Sequence, residues 1–146
     1  FYTSNAQLCI VMEYADGGDL RGEIVHARNQ NATIPEEIIS VWIIQVCWAL
    51  DYLHNMQLIH RDVKPSNIFL LSNRRSVRLG DFGISKILDS VSERDQHAQE
   101  TEGRVGTKRY MAPEVLTSKT VSCQADIWSV GCVIFELSTL KHPTYE

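Results

Sequence analysis

The run His60-Arg61-Asp62-Val63-Lys64-Pro65-Ser66-Asn67, closed by Ile68-Phe69-Leu70-Leu71, constrains this chain more than any other stretch. Ionisable and amide side chains crowd into one segment, and four apolar residues come directly after. That order reads as a polar loop feeding a buried strand. Asp62 and Lys64 stand two residues apart, with the Asn67 amide three beyond. Together these groups can accept a proton, neutralise an anion and hold a metal ion. Ser72-Asn73-Arg74-Arg75 then reads as a turn and Ser76 to Leu79 as a second short strand. The loop is therefore one end of a hairpin that carries polar residues at both ends, a reasonable scaffold for a site.

The chain of 146 residues is long enough for one domain with a real core. A net charge of −4 argues against a nucleic acid polymer as partner, because phosphate binding wants a basic face. None of Cys9, Cys47, Cys123 and Cys132 forms a CxxC pair. They read as free, reduced thiols, so an intracellular, cytoplasmic setting is expected. The most apolar stretch, residues 38–50, is broken by Ser40 and Gln45 and is too short to span a bilayer, so no membrane partner is expected. No signal peptide is visible. The chain opens on Phe1 and not on Met, so the expected N-terminus lies upstream.

Residues 8–14 are apolar and rich in strand formers and predict a buried strand, ended by the turn signal Ala15-Asp16-Gly17-Gly18-Asp19. Residues 19–30 predict a short polar helix. Thr33 and Glu36 have the spacing of a capping box with Pro35 in the first turn, which predicts a helix running to about Asn55. Its apolar positions wrap most of the cylinder, which places Trp42 and Trp48 in the core. Residues 85–104 are dominated by Ser, Glu, Asp, Gln and Arg and predict a solvated loop. Ala125 to Leu140 predict a second apolar helix, with Asp126 in its first turn and Trp128 facing the core.

Fourteen residues past Asn67 comes Asp81-Phe82-Gly83, and later Ala112-Pro113-Glu114. His-Arg-Asp, a Lys two after the Asp, an Asn five after it, then Asp-Phe-Gly and Ala-Pro-Glu in this order: the chain resembles the eukaryotic protein kinases. The resemblance implies an α+β, protein-kinase-like fold, present in part. Residues 1–146 would be a kinase domain incomplete at both ends, with 1–12 the end of the small lobe and 13–19 the hinge. Residues 20–146 would be the mainly helical large lobe, and 81–114 its activation segment. The Leu79 to Lys86 stretch and the Leu137 to Pro143 ending look like the NIMA-related kinases, although Lys108-Arg109 departs from the pattern common there.

The resemblance also implies a chemistry. Phosphoryl transfer asks the protein for positioning and charge cancellation more than for covalent work. Asp62 would orient the attacking hydroxyl and take its proton, and Lys64 would neutralise the γ-phosphate of ATP. Asn67 and Asp81 offer the oxygen ligands that Mg²⁺ prefers. Met12 would be the gatekeeper, the backbone of Glu13 and Ala15 would meet the adenine edge, and Phe69 would lie beneath it. Lys64 and Thr107 point to the serine/threonine type, with Ser/Thr hydroxyls of proteins as acceptors, and Thr107 would bond the catalytic Asp and Lys. His60, Phe82 and Gly83 complete the two loop motifs. Arg61 implies a switch by phosphate in the activation segment, with Thr101 as candidate or Glu102 as a standing charge. Glu114 would pair with a downstream Arg, Asp126 would hold the catalytic loop from below, and Tyr110 would be structural.

The phosphate-binding glycine loop, the Val-Ala-x-Lys strand and the later large-lobe helices are not in the sequence. The expected function is a serine/threonine kinase seen as a fragment, inactive and weakly folded by itself. The alternatives are a truncated pseudokinase acting as a regulatory binding module and an unrelated nucleotide-binding domain; the presence of Asp62, Asn67 and Asp81 together weighs against the first.

Overall fold

The structure, a computed structural model, describes residues 2–4, 7–9, 11–81, 86–87, 107–117 and 122–143. Helix α1 (Leu20–Asn29) starts where Asp19 stands extended and its carboxylate accepts the Gly22 N–H at 2.7 Å. A side-chain oxygen there satisfies one of the donors that a helix start leaves orphaned. Leu20, Ile24 and Ala27 form its buried face.

Helix α2 (Glu36–Asn55) is the longest element described. The capping box expected from Thr33 and Glu36 is not made: Pro35 is the cap residue, and no side chain caps the end. The helix begins too late for Thr33 to reach it. Instead the Pro35 carbonyl accepts from Ile38 and Ile39 at 3.0 and 3.1 Å, and Glu36 and Glu37 complement the helix dipole. Ile39, Trp42, Val46, Leu50 and Leu53 recur at intervals of three and four and are buried. Trp48 does not join them; it is 71% exposed. Six residues beyond Trp42, it is rotated by roughly 240° at about 100° per residue, away from the stripe.

Helix α3 (Pro113–Thr117) is a short connector, and α4 (Cys123–Thr139) is the second long helix. Its inner face runs through Asp126, Val130, Val133 and Leu137. Trp128 lies off that face and is 40% exposed, contrary to the expectation from composition, which cannot fix the rotation of a largely apolar helix. The chain leaves α4 through Leu140 in the left-handed region (φ 56°), whose carbonyl accepts from Arg28 Nε and Nη2 at 3.1 and 2.5 Å.

The described strands form three separate antiparallel pairs. Strands β1 (Tyr2–Ser4) and β2 (Gln7–Cys9) make the first. The strand expected over 8–14 is shorter than that. Val11, Met12 and Tyr14 are mostly exposed, and among the described residues no ladder pairs with them to give the apolar run a face to bury. Strand β3 (Leu58–Ile59) pairs with β6 (Lys86–Ile87), so the stretch expected as loop contributes one short strand. Strands β4 (Ile68–Leu70) and β5 (Val77–Leu79) form the expected hairpin, with Leu70 opposite Val77 and Ile68 opposite Leu79.

Helix α2 packs against α4, β3 and β5, while α1 packs on β4 and on the 3-10 turn Pro65–Asn67. Leu20, Leu50, Ile68, Leu70, Val133 and Leu137 are fully buried where these elements meet. Each such side chain stabilises the fold by about 1.5–3 kcal/mol relative to exposure. The polar loop 60–67 thus sits between the end of β3 and the start of β4, on the edge of this core.

Candidate active site

Loop 60–67 is held from beneath by one carboxylate. Asp126 is 1% exposed. Its Oδ2 accepts the His60 backbone N–H at 2.9 Å and its Oδ1 the Arg61 N–H at 2.8 Å. The His54 ring Nε2 lies 2.8 Å from Oδ2. Burying a carboxylate is costly unless its lone pairs are taken, and here three groups take them. The anchor also offsets the unfavourable backbone of Arg61, which is left-handed at φ 69°. His54 escapes a reading of the sequence. It stands in the last turn of α2, where a histidine is explained equally well by the helix dipole.

His60 is fully buried. Its Nδ1 accepts the Asp62 N–H at 3.3 Å, and its Nε2 lies 3.1 Å from the Gly80 carbonyl. An accepting Nδ1 leaves the proton on Nε2, so the ring donates to Gly80. This bond ties the loop to the far end of β5. The Gly80 N–H in turn donates to the Asn67 carbonyl at 2.9 Å. Asn67 and Asp81 therefore flank the β4–β5 hairpin at one and the same end.

Asp62 is 6% exposed. Its Oδ2 accepts from Lys64 Nζ at 2.7 Å and from Asn67 Nδ2 at 3.0 Å. Asn67 Nδ2 also donates to the Asp62 carbonyl at 2.8 Å. The second carboxylate oxygen, Oδ1, is buried and has no hydrogen-bond partner among the described residues. Such an atom costs about 1–3 kcal/mol, and buried polar groups of this kind need an explanation. Asn67 spends its amide nitrogen on Asp62, which leaves its carbonyl oxygen for an outside group. Asp81 is exposed and left-handed at φ 63°. An amide oxygen and a carboxylate at one hairpin end fit a hard cation completed by phosphate and water oxygens. Among the described residues no cluster of three His, Cys, Asp or Glu side chains offers a metal site of its own.

The linker before α1 lies against the same hairpin. Gly17 N–H donates to the Leu70 carbonyl at 2.9 Å, Leu70 N–H to the Gly18 carbonyl at 2.8 Å, and Asp19 bridges Phe69. Phe69 is half-buried, and its ring lies so close to Gly80 that a Cβ there would meet Cε2 at 2.8 Å. Met12 is 76% exposed, Glu13 is exposed with a carboxylate 3.3 Å from Arg78, and Ala15 is half-exposed. The structure brings Phe69 to the linker and leaves the Met12 side chain in the open.

Phe82, Gly83 and Thr101 lie outside the described residues, and Thr107 is described only as the first residue of the 3-10 turn Thr107–Tyr110. Glu114 stands half-exposed in the first turn of α3. Tyr110 is buried, and its hydroxyl donates to the buried carboxylate of Glu136. Burial, then the hydrogen bond to Glu136 and its charge, push the phenol well above its ordinary range. Ser129 Oγ donates to the Tyr110 carbonyl at 2.6 Å, and His142 Nδ1 stands 2.8 Å from a Glu136 carboxylate oxygen without hydrogen-bond alignment. Tyr110 is thus locked between the segment before α3 and the inner face of α4.

The whole chain, residues 1–146, matches the family described as the protein kinase domain. It is 40% identical to the serine/threonine-protein kinase Nek5 of Homo sapiens over 97% of its own length and 19% of that protein. Over the same share it is 40% identical to Nek1 of Mus musculus, covering 11% of it. It is 42% identical to Nek3 of Oryza sativa subsp. japonica over 92% of its length, covering 21% of that relative. The chain spans about a fifth or less of the curated relatives named here.

Proposed function

The chain belongs to the protein kinase domain family, and from that premise we propose that the protein carrying it transfers the γ-phosphate of ATP to serine and threonine hydroxyls of proteins. The single observation behind this reading is the Asp62 carboxylate. One oxygen is fixed by Lys64 and Asn67, and the other is buried without a partner among the described residues. A base held in one orientation with one oxygen left unpaired suits a hydroxyl as its partner. Asp62 orients that hydroxyl and takes its proton as the oxygen attacks the γ-phosphorus, and the bond from that phosphorus to the bridging oxygen breaks, so that ADP leaves. Lys64, beside Asp62, cancels charge on the phosphoryl group as it moves. Asn67 and Asp81 would hold Mg²⁺, which when bound would neutralise charge on the phosphate oxygens.

Residues 1–12 belong in this reading to the small lobe, 13–19 to the hinge and 20–146 to the large lobe, with 81–114 as activation segment. The stitching of residues 17–19 to β4 supports an adenine site between the linker backbone and Phe69. Val11, Met12 and Tyr14 are exposed, so the described residues form no enclosed adenine slot, which supports inactivity of the 146 residues by themselves. The thiols of Cys47 and Cys123, which stand in no disulfide among the described residues, support a reducing, cytoplasmic setting. No helix among the described residues is long and apolar enough to cross a membrane.

Asp62→Asn in the full-length protein tests the reading. It keeps the side-chain shape and removes the base, so kcat for a Ser/Thr peptide falls by about 10²–10⁴-fold while KM for ATP holds within a few-fold. Undiminished phosphotransfer by the folded variant would overturn it.

A further inference from the structure

Helix α2 grips the turn of the β4–β5 hairpin with two side chains three residues apart. Trp42 Nε1 donates to the Arg74 carbonyl at 3.0 Å. Gln45 Nε2 donates to the Arg75 carbonyl at 2.9 Å, and Gln45 Oε1 accepts the Val77 N–H at 3.1 Å. The Gln45 amide thus meets a carbonyl before β5 and a donor at its first residue. Its Nε2 also donates to Val41 in its own helix at 2.8 Å, which fixes the rotamer.

The turn does not need this help to keep its own shape. Asn73 Oδ1 already accepts from Arg75 and Ser76 N–H at 3.0 and 2.8 Å, and Leu71 N–H donates to Ser76 at 2.9 Å. What Gln45 adds is the placement of the whole hairpin against α2. That placement reaches the other end. Asn67 immediately precedes β4, and Asp81 lies four residues beyond Val77, a reach of roughly 13 Å along a strand. Both termini are fastened to one another by the Gly80–Asn67 bond. A ladder of fixed register transmits a shift along the strand instead of absorbing it, because slipping would reverse every side chain.

We infer that Gln45 is a positioning residue for the pair Asn67 and Asp81, acting through the β4–β5 hairpin, so that the affinity for the divalent cation depends on an amide on α2 which touches neither residue. The inference rests on the reading of Asn67 and Asp81 given above. Residues that orient metal-binding side chains without touching the metal typically govern its affinity by 10-fold or more.

The test uses the full-length protein with Gln45→Leu, which removes both hairpin contacts, and Gln45→Glu, which keeps the acceptor for Val77 N–H and loses the donor. Val46→Ala, a buried position one residue away on α2, serves as the control for lost stability alone. In Gln45→Leu the Mg²⁺ concentration for half-maximal phosphotransfer rises about 10-fold with peptide KM unchanged, and Gln45→Glu falls between it and the wild type. Hydrogen exchange without metal or nucleotide, read from Val77 to Gly80, speeds up in the same order. An unchanged Mg²⁺ requirement in Gln45→Leu, or an equal rise in Val46→Ala, overturns the inference. A wild type that transfers no phosphate would sink the functional reading; exchange at Val77 to Gly80 would still decide whether Gln45 holds the hairpin.

Discussion

Replacing Asp126 with Ala should loosen loop 60–67 far more than it loosens the helix that carries the residue. Two backbone donors, His60 N–H and Arg61 N–H, lose a charged acceptor at 2.9 and 2.8 Å. Hydrogen bonds to charged groups contribute about 1.5–3 kcal/mol each, so the pair bounds the loss at roughly 3–6 kcal/mol. The lower figure is the better guide, because a freed loop can turn its amides towards water. The left-handed backbone of Arg61 pushes the same way, since its cost is no longer offset. A loss of about 3 kcal/mol corresponds to a roughly 100-fold larger opening equilibrium constant. Hydrogen exchange of the His60 and Arg61 amides, resolved by NMR, measures it directly. Exchange accelerated by about 100-fold at these two amides, with α4 amides from Val130 to Leu137 little changed, is the expected result. Acceleration below about 5-fold at His60 and Arg61 would refute the reasoning, because the carboxylate would then not be what holds the loop.

Gly17→Ala should cost about 1–3 kcal/mol by thermal unfolding: its Cβ would stand 2.5 Å from the Leu71 carbonyl oxygen and 2.7 Å from that of Leu70, backbone atoms that cannot swing aside. Tyr110→Phe should leave a Glu136 oxygen unpaired in a buried site and lower stability by about 1–3 kcal/mol near neutrality. The same variant carries a pH signature. The folded phenol ionises above the ordinary value of 10.0, so its stabilisation is complete below that pH and drains away above it, where the unfolded chain has lost a proton that the folded one keeps. The wild type should therefore lose about 1.4 kcal/mol per pH unit more than Tyr110→Phe above pH 10; parallel slopes in the two proteins would show that Tyr110 is not held as described.

The part of the site that sequence reveals is the part that is local. Asp62, Lys64 and Asn67 fall within one loop, and their spacing already forces them together, as the mutual bonds of Asp62 Oδ2 show. The hairpin β4–β5 was equally legible, because a turn signal separates an apolar run, Ile68 to Leu71, from an alternating one, Ser76 to Leu79. Rotation about a helix axis was not. Trp42 and Trp48 look alike in an apolar stretch, and only the packing of α2 on α4 and β5 sends one inward and leaves the other 71% exposed. Trp128 on α4 fails for the same reason. The long-range polar contacts were the least visible: His54 with Asp126, Tyr110 with Glu136, and Gln45 with the turn at Arg75 join residues 72, 26 and 30 positions apart. Periodicity carries no information about such partners. Gln45 reads from the sequence as a blemish in an apolar helix, yet it is the residue that grips the hairpin.

The anchoring of loop 60–67 also sets an order of events when the chain is made. Asp126 comes 66 residues after His60. At synthesis rates of about 5–20 residues per second it is made roughly 3–13 s after the amides it will bind. Throughout that interval the His-Arg-Asp loop has hairpin and helix α2 beside it but no carboxylate beneath it. A nascent chain therefore completes much of its secondary structure before the anchored geometry of this loop can exist, and that geometry becomes available only when α4 docks.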